Sequence, residues 1–245
     1  IEILEKLGDA KAALGRLQGR SVVIPNQGLL INTISLQEAK LSSAIENIFT
    51  TDDDLYKAYS DKSTEANGAS KEVLRYREAL WSGFNYLKKK GQFDQNYFIK
   101  VYQEIKQTKD TFRPVFLGIT ITQSGTGPNA GQIMYTPPRD LEVIKNRLDN
   151  IVNFVNDDEQ FKIDHLLKMA IAHFQFEAVH PFRDGNGRTG RVFNINYLTN
   201  KGLLDVPILF LSRYILDHKE DYYSGLMGVS QRGNWKNWLL FMLRA

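Results

Sequence analysis

Along most of this chain apolar positions recur every three to four residues, the spacing of one face of an α-helix, and only one segment alternates as a strand does. Ile3, Leu4, Leu7, Ala10, Leu14 and Leu17 trace the first such face, and Gly19 is expected to end it. Gly28 and Asn32 punctuate a loop before a second helix expected over 35–47. Residues 61–70 are polar and small, as in an exposed connection, and the lobe boundary falls there: an N-terminal helical lobe, 1–69, precedes a core, 70–245. Further helices are predicted over 72–89, from an Asp94 cap to about 107, and over 140–155, 165–178 and 188–200, with a last one carrying Trp235 and Trp238. The exception is Ile119-Thr-Ile121 and Ile133-Met-Tyr135, which alternate on either side of a Gly-rich tract and stop at Pro137-Pro138; they read as a hairpin with a long turn. The expected fold is a mainly α helical bundle with one short β-hairpin.

Composition narrows the class. A chain of 245 residues, 42% hydrophobic and 11% aromatic, can bury one large domain or a domain with a smaller lobe. A formal charge of +3 is too small to be the electrostatic footprint of a nucleic-acid binder. The chain has no cysteine, so thiolate metal sites, cysteine nucleophiles and disulfides are excluded, which suits a reducing cytoplasm. Its longest apolar runs, 206–211 and 238–243, fall far short of the roughly 20 residues of a membrane span. A cytoplasmic protein is expected, and because both ends lie within helical patterns, so is a piece of something longer.

The chemistry is concentrated in His180-Pro-Phe-Arg-Asp-Gly-Asn-Gly-Arg-Thr-Gly-Arg191. An apolar helix delivers the chain to His180, and Pro181 pushes that residue out of helical geometry. Gly185-Asn-Gly187 can aim successive N–H groups into one concavity, and a helix starting near Arg188 adds its own unpaired donors. Arg188 and Arg191, three apart, share one side of that helix's first turn. Cations there oppose the helix dipole at about 0.3–1 kcal/mol each, a conflict that a bound phosphate reverses. Either arginine alone reads equally well as solvated or paired, and Asp184 alone as a helix cap. A base, a carboxylate for a hard cation and an anion cradle in one run point together to nucleotidyl or phosphoryl transfer. His165 and His173 fall inside the upstream helical pattern and His218 on a polar turn or helix face, with no metal-ligand spacing.

This run resembles the Fic family signature, His-x-Phe-x-Asp/Glu-Gly-Asn-Gly-Arg-x-x-Arg, at every specified position. The resemblance implies a helical fold that transfers AMP from ATP to a hydroxyl side chain of a target protein. It makes His180 the base for that hydroxyl and Phe182 the loop's core anchor. Asp184 would hold Mg²⁺, Asn186 and the N–H groups around Gly185 and Gly187 the α- and β-phosphates, Arg188 the phosphate chain and Arg191 the γ-phosphate. Ser42-Ser-Ala-Ile-Glu46-Asn47 is similar to the Ser/Thr-x-x-x-Glu-Gly/Asn inhibitory motif of some members, in which Glu46 would occupy Arg191. Ser42 and Glu46, four apart, face one side of a helix with Glu46 in its last turn, where the dipole does not favour a carboxylate. By family position Ile133, Met134 and Tyr135 belong to a target-binding flap, and Tyr222 and Tyr223 to an adenine pocket; ordinary packing is the other reading for both sets.

The partner implied is a protein with a Ser, Thr or Tyr hydroxyl; self-modification and a homodimer are compatible with it, whereas a membrane and nucleic acid are not indicated. Two other readings remain: removal of AMP by the same residues, with Glu46 positioning a water, and a non-enzymatic interaction module. Gly185-x-Gly187-x-x-Gly190 formally matches the dinucleotide fingerprint but follows a helix and a His-Pro pair instead of a strand. No P-loop sequence occurs.

Overall fold

The protein is seen here as a computed structural model that describes residues 1–23, 26–60, 68–114, 120–122 and 133–245, with the side chains of residues 22, 27, 121, 122, 133 and 134 outside that description. The described helices are α1 (Glu2–Val23), α2 (Gln27–Ile45), α3 (Asp52–Ser60), α4 (Gly68–Lys90), α5 (Gln95–Lys106), α6 (Leu141–Asn156), α7 (His165–Val179), α8 (Asn186–Asn200), α9 (Leu211–Asp217), α10 (Lys219–Arg232) and α11 (Trp235–Arg244). Strands β1 (Ile121–Thr122) and β2 (Ile133–Tyr135) pair antiparallel between α5 and α6, with Ile121 opposite Tyr135. The expected turn between them, and Ile119, lie outside the described residues, as does most of the tract expected to separate two lobes.

Local chemistry starts several helices where their caps stand. The carboxylates of Asp94, Asp140 and Asp164 accept from the N–H groups of Tyr97, Val143 and Leu166, satisfying donors that a first helical turn leaves free. Two expectations are corrected. The first helix runs through Gly19 to Val23, since an exposed glycine with open space around it costs a helix only about 1 kcal/mol. The second begins at Gln27 instead of 35: Asn26 caps it by accepting from Leu29, and Asn32 sits inside it, receiving the Arg77 guanidinium at 2.5 Å. Helices α3, α9 and α10 were not marked by the apolar period of the sequence.

Helices α7 and α8 form the centre. Met169, Ala172, Phe176 and Val179 of the one and Val192, Phe193, Ile195 and Leu198 of the other are buried. Phe98 of α5 stacks on Phe176 at 5.1 Å between ring centroids and packs beside Phe193 at 5.5 Å, so three helices share one aromatic cluster. Trp238 ties α11 to α7 through a 2.8 Å bond from its indole N–H to the Ala170 carbonyl. α2 lies against α4 and α9 with Ala39, Ser42, Ser43 and Ala44 buried, small residues that let it approach closely and bring its C-terminal end to the first turn of α8.

Candidate active site

Helix α7 ends at His180, which adopts the left-handed conformation with φ of 47° and donates its N–H to the Phe176 carbonyl at 3.0 Å. A non-glycine residue held there needs external support. It comes from Arg113: Nε donates to the His180 carbonyl at 2.7 Å, the Arg113 N–H to the Pro181 carbonyl at 2.9 Å, and Nη2 to the Pro138 carbonyl. The His180 ring faces a cleft, and its Nδ1 lies 3.3 Å from the Glu177 carbonyl. A carbonyl only accepts, so Nδ1 carries the proton and Nε2 keeps its lone pair. Burial lowers the ring's pKa to about 4, so the imidazole is neutral throughout the physiological range.

The turn after His180 is braced from within. Phe182 is fully buried and stacks on Tyr102 at 4.2 Å between centroids. The Asn186 carboxamide accepts from the Phe182 N–H at 2.9 Å and donates to its carbonyl at 2.8 Å, closing the loop on itself. Gly185 takes φ of 81°, which an L side chain resists, and α8 starts immediately after it. The N–H groups of its first turn have no acceptor within the helix and carry the positive end of its dipole. A concavity suited to an anion results.

The two arginines of that helix go to different carboxylates. Arg188 is buried and gives Nη1 to Glu72 of α4 at 2.6 Å; Glu72 also lies 3.5 Å from Lys106, which holds Asp184 at 2.6 Å. Arg191 donates Nε to the Ser42 hydroxyl at 2.7 Å and Nη2 to the Ser42 carbonyl at 3.0 Å and to Glu46 Oε1 at 2.7 Å. Burial opposes its charge, but the charge of Glu46 and its hydrogen bond outweigh that and raise its pKa.

Glu46 is aimed by the end of α2. The Asn47 N–H bonds the Ala44 carbonyl and the Ile48 N–H the Ser43 carbonyl, each at 3.0 Å, in the pattern of a Schellman stop. Such a stop requires a left-handed residue just after Glu46, and Asn47 has φ of 61°. This is the physical reason that Gly or Asn suits that position. Glu46 is thus the cap of the helix and not part of its last turn. A β-carbon on Gly187 would collide with Glu46 Oε1 and lie 3.0 Å from Arg191 Nη1, so the Glu46 carboxylate rests on the bare glycine face of the anion cradle.

A cleft of about 180 Å³ joins these parts, lined by Glu46, His180, Gly187 and Arg191 on its polar side and by Phe174, Tyr223, Leu226 and Met227 on its apolar side. Tyr135 of β2 and Tyr222 also line it, although the Tyr222 hydroxyl is engaged with His173 Nε2 at 2.8 Å. The side chains of Ile133 and Met134 lie outside the described residues. Neither Arg188 nor Asn186, expected on the phosphates through their side chains, lines the cleft: Glu72 holds the one and the Phe182 backbone the other. Among the described residues no three acidic or imidazole groups gather as a metal cage. Asp184 stands alone, its carboxylate exposed beside the anion cradle. Partial burial works against its charge, but Lys106, Arg188 and the Gly185 N–H outweigh that and hold its pKa below the usual range.

Sequence patterns missed Glu177, a pocket-lining carboxyl three residues before His180 whose buried Oε1 has no partner and whose pKa burial raises to about 8. Its signal was present, as the single acid in the apolar run of α7. Arg113 and Lys106 gave no such signal. His173, expected only to lie within the helix before His180, is a core residue, its pKa lowered to about 3 by burial.

Two family models match the chain: Fic/DOC family N-terminal over residues 4–85, and Fic/DOC family over residues 92–198. The protein adenylyltransferase fic-1 of Caenorhabditis elegans is 44% identical over 89 residues, which are 36% of this chain and 16% of that protein. The protein adenylyltransferase Fic of Culex quinquefasciatus is 28% identical over 105 residues, 43% of this chain and 19% of that protein. The match thus spans less than a fifth of either relative's length. A solved Fic family protein from Desulfovibrio desulfuricans G20 superimposes with a TM-score of 0.76 at 22% identity, over 98% of this chain and 71% of that one, a likeness of fold.

Proposed function

This chain belongs to the Fic/DOC family, and we propose on that footing that it is an autoinhibited protein adenylyltransferase, moving AMP from ATP to a Ser, Thr or Tyr hydroxyl of a target protein. The observation that carries the reading is that His180, with a free Nε2, opens onto the same cleft as the glycine cradle and an arginine already held by the carboxylate that caps α2.

In the reaction, the target hydroxyl gives its proton to His180 Nε2 as its oxygen attacks the α-phosphorus, and the bond to the β-phosphate breaks to release pyrophosphate. A positioned base of this kind contributes about 10²–10⁴-fold to rate. The N–H groups around Gly185 and Gly187 receive the charge on the phosphate oxygens, and Arg191, once released, takes the γ-phosphate. The apolar wall of Phe174, Tyr223, Leu226 and Met227 suits the adenine ring. Asp184 fits a Mg²⁺ carried by the phosphates, since such an ion is commonly bound by one or two carboxylates plus phosphate oxygens; it would neutralise charge on the α- and β-phosphates. In this scheme residues 1–69 form the lobe bearing the inhibitory helix and 70–245 the catalytic core. β2, with Ile133, Met134 and Tyr135, receives an extended target segment by strand addition.

With Glu46 in place, Arg191 is unavailable to the γ-phosphate and ATP binds unproductively. Incubating the Glu46→Gly protein with Mg-ATP labelled at the α- or the γ-phosphate, followed by mass spectrometry, tests the whole reading. Retained α-label with the mass of AMP on a hydroxyl residue is expected; γ-label, or no label on itself or on any protein of a lysate, overturns it.

A further inference from the structure

The ion-pair row beside the anion cradle has a member that the transfer reaction does not use. Lys106, the last residue of α5, lays its stem against the turn: a β-carbon on Gly185 would meet its Cδ at 3.3 Å and its Cγ at 3.4 Å. Its ammonium lies 2.6 Å from Asp184 Oδ2 and 3.5 Å from Glu72 Oε1, the oxygen that also receives Arg188 at 2.6 Å. Charges therefore alternate along Asp184, Lys106, Glu72 and Arg188. Each cation touches a carboxylate, yet only Asp184, at the open end of the row, has its side chain mostly exposed, at 65%.

We propose that Lys106 is a resident counter-ion for Asp184, which keeps that carboxylate oriented and discourages a free divalent ion, so that the metal enters with its nucleotide. This inference rests on the reading of Asp184 as the metal-holding residue. A lone carboxylate already paired with an ammonium is a poor site for Mg²⁺, which sheds its water reluctantly and needs several oxygens. Phosphate oxygens arriving with the ion supply them, and they also offset the repulsion between the ion and Lys106. Glu72, at 3.5 Å, is the carboxylate to which the displaced ammonium turns. Lys106 is thus a positioning residue that makes metal binding depend on nucleotide.

Mn²⁺ titrated into the protein and followed by electron paramagnetic resonance, with and without saturating ADP, reads this directly. ADP lacks the γ-phosphate that Glu46 excludes and undergoes no AMP transfer to confuse the readout. Lys106→Met keeps the stem on Gly185 and removes the charge, whereas Lys106→Arg keeps the charge. In ADP the Met variant is expected to bind Mn²⁺ about fivefold more tightly than wild type, the scale of one partly exposed charge pair, and the Arg variant to match wild type. Without ADP, the Met variant gains weak binding that wild type lacks. Mn²⁺ affinity equal in the Met variant and wild type, or lower in the Met variant, overturns the proposal. Asp184→Asn separates the two readings: if it leaves the Mn²⁺ affinity of the wild-type ADP complex unchanged, the assignment of Asp184 itself fails, whatever Lys106 does.

Discussion

Glu46 Oε1 accepts from Arg191 Nη2 at 2.7 Å while pressed against the Cα of Gly187, so one carboxylate both neutralises the guanidinium and covers the cradle where a phosphate tail would lie. A hydrogen bond to a charged group is worth about 1.5–3 kcal/mol, so losing it should raise the productive nucleotide complex by roughly tenfold or more. Glu46→Gly is therefore expected to increase AMP labelling by at least that factor, and His180→Ala in the same background to abolish it. Equal labelling of Glu46→Gly and wild type at saturating Mg-ATP would remove the brake from the account.

Arg113 supports the backbone on which His180 stands. Its side chain spans the His180 and Pro138 carbonyls, and it is 2% exposed, so Arg113→Met leaves two carbonyls without donors. Loss of such bonds costs about 1.5–3 kcal/mol, or a fall of several degrees in the melting temperature of a domain this size. Arg113→Lys should rescue little, because a single ammonium cannot reproduce the fork. In the Glu46→Gly background kcat should drop with KM for ATP nearly unchanged. A Lys variant as stable and active as wild type would count against this role.

Two buried groups in the cleft set opposite pH limits. With His180 at about 4, its lone pair survives mild acid, so kcat/KM of the Glu46→Gly protein should stay level down to about pH 5.5 and not fall near 6.5. Glu177 titrates near 4.5 when exposed and at about 8 in the fold. Between those values the native state keeps a proton that the unfolded chain has lost. Its stabilising contribution is thus complete below about pH 4.5 and disappears as pH rises through 8. Urea melts should show wild type losing stability relative to Glu177→Gln across that window; a constant difference between the two would refute the raised pKa.

What the sequence made legible was what local chemistry decides. Asp94 caps the helix that follows it, and the run from His180 to Arg191 forms a loop, a left-handed glycine and a helix start in the order its residues dictate. What it concealed depends on partners far along the chain. The pairing of Arg188 with Glu72 joins residues 116 apart. The bonds of the Asn186 carboxamide to the Phe182 backbone span only four residues, yet nothing in the run announces them. Asn32 looked like a helix breaker until Arg77 of α4 is set beside it. The Ser42–Glu46 spacing was readable as a shared face and the resemblance named Arg191 as the partner of Glu46, but that the Ser42 hydroxyl and carbonyl also take the guanidinium emerges only from the packing of α2 against α8.

Glu38, two helical turns before Glu46, anchors α2 without a hydrogen bond to Arg191. It is fully buried: its Oε2 accepts from the Ser212 N–H at 3.0 Å, and its Oε1 accepts from the Ser212 hydroxyl at 2.5 Å and the Tyr76 hydroxyl at 3.3 Å, fastening α2 to α9 and α4 together. Glu38→Ala would leave those donors buried and unpaired, at about 1–3 kcal/mol for each group, and loosen the end of α2 that presents Glu46. Labelling by the otherwise wild-type protein should rise severalfold, because the brake is released more often. In the Glu46→Gly background the same substitution should add nothing, since no carboxylate remains to be held in place. Multiplying effects in the double variant, measured at a temperature where both proteins are folded, would mean that Glu38 acts on the catalytic core directly and not through the seating of α2.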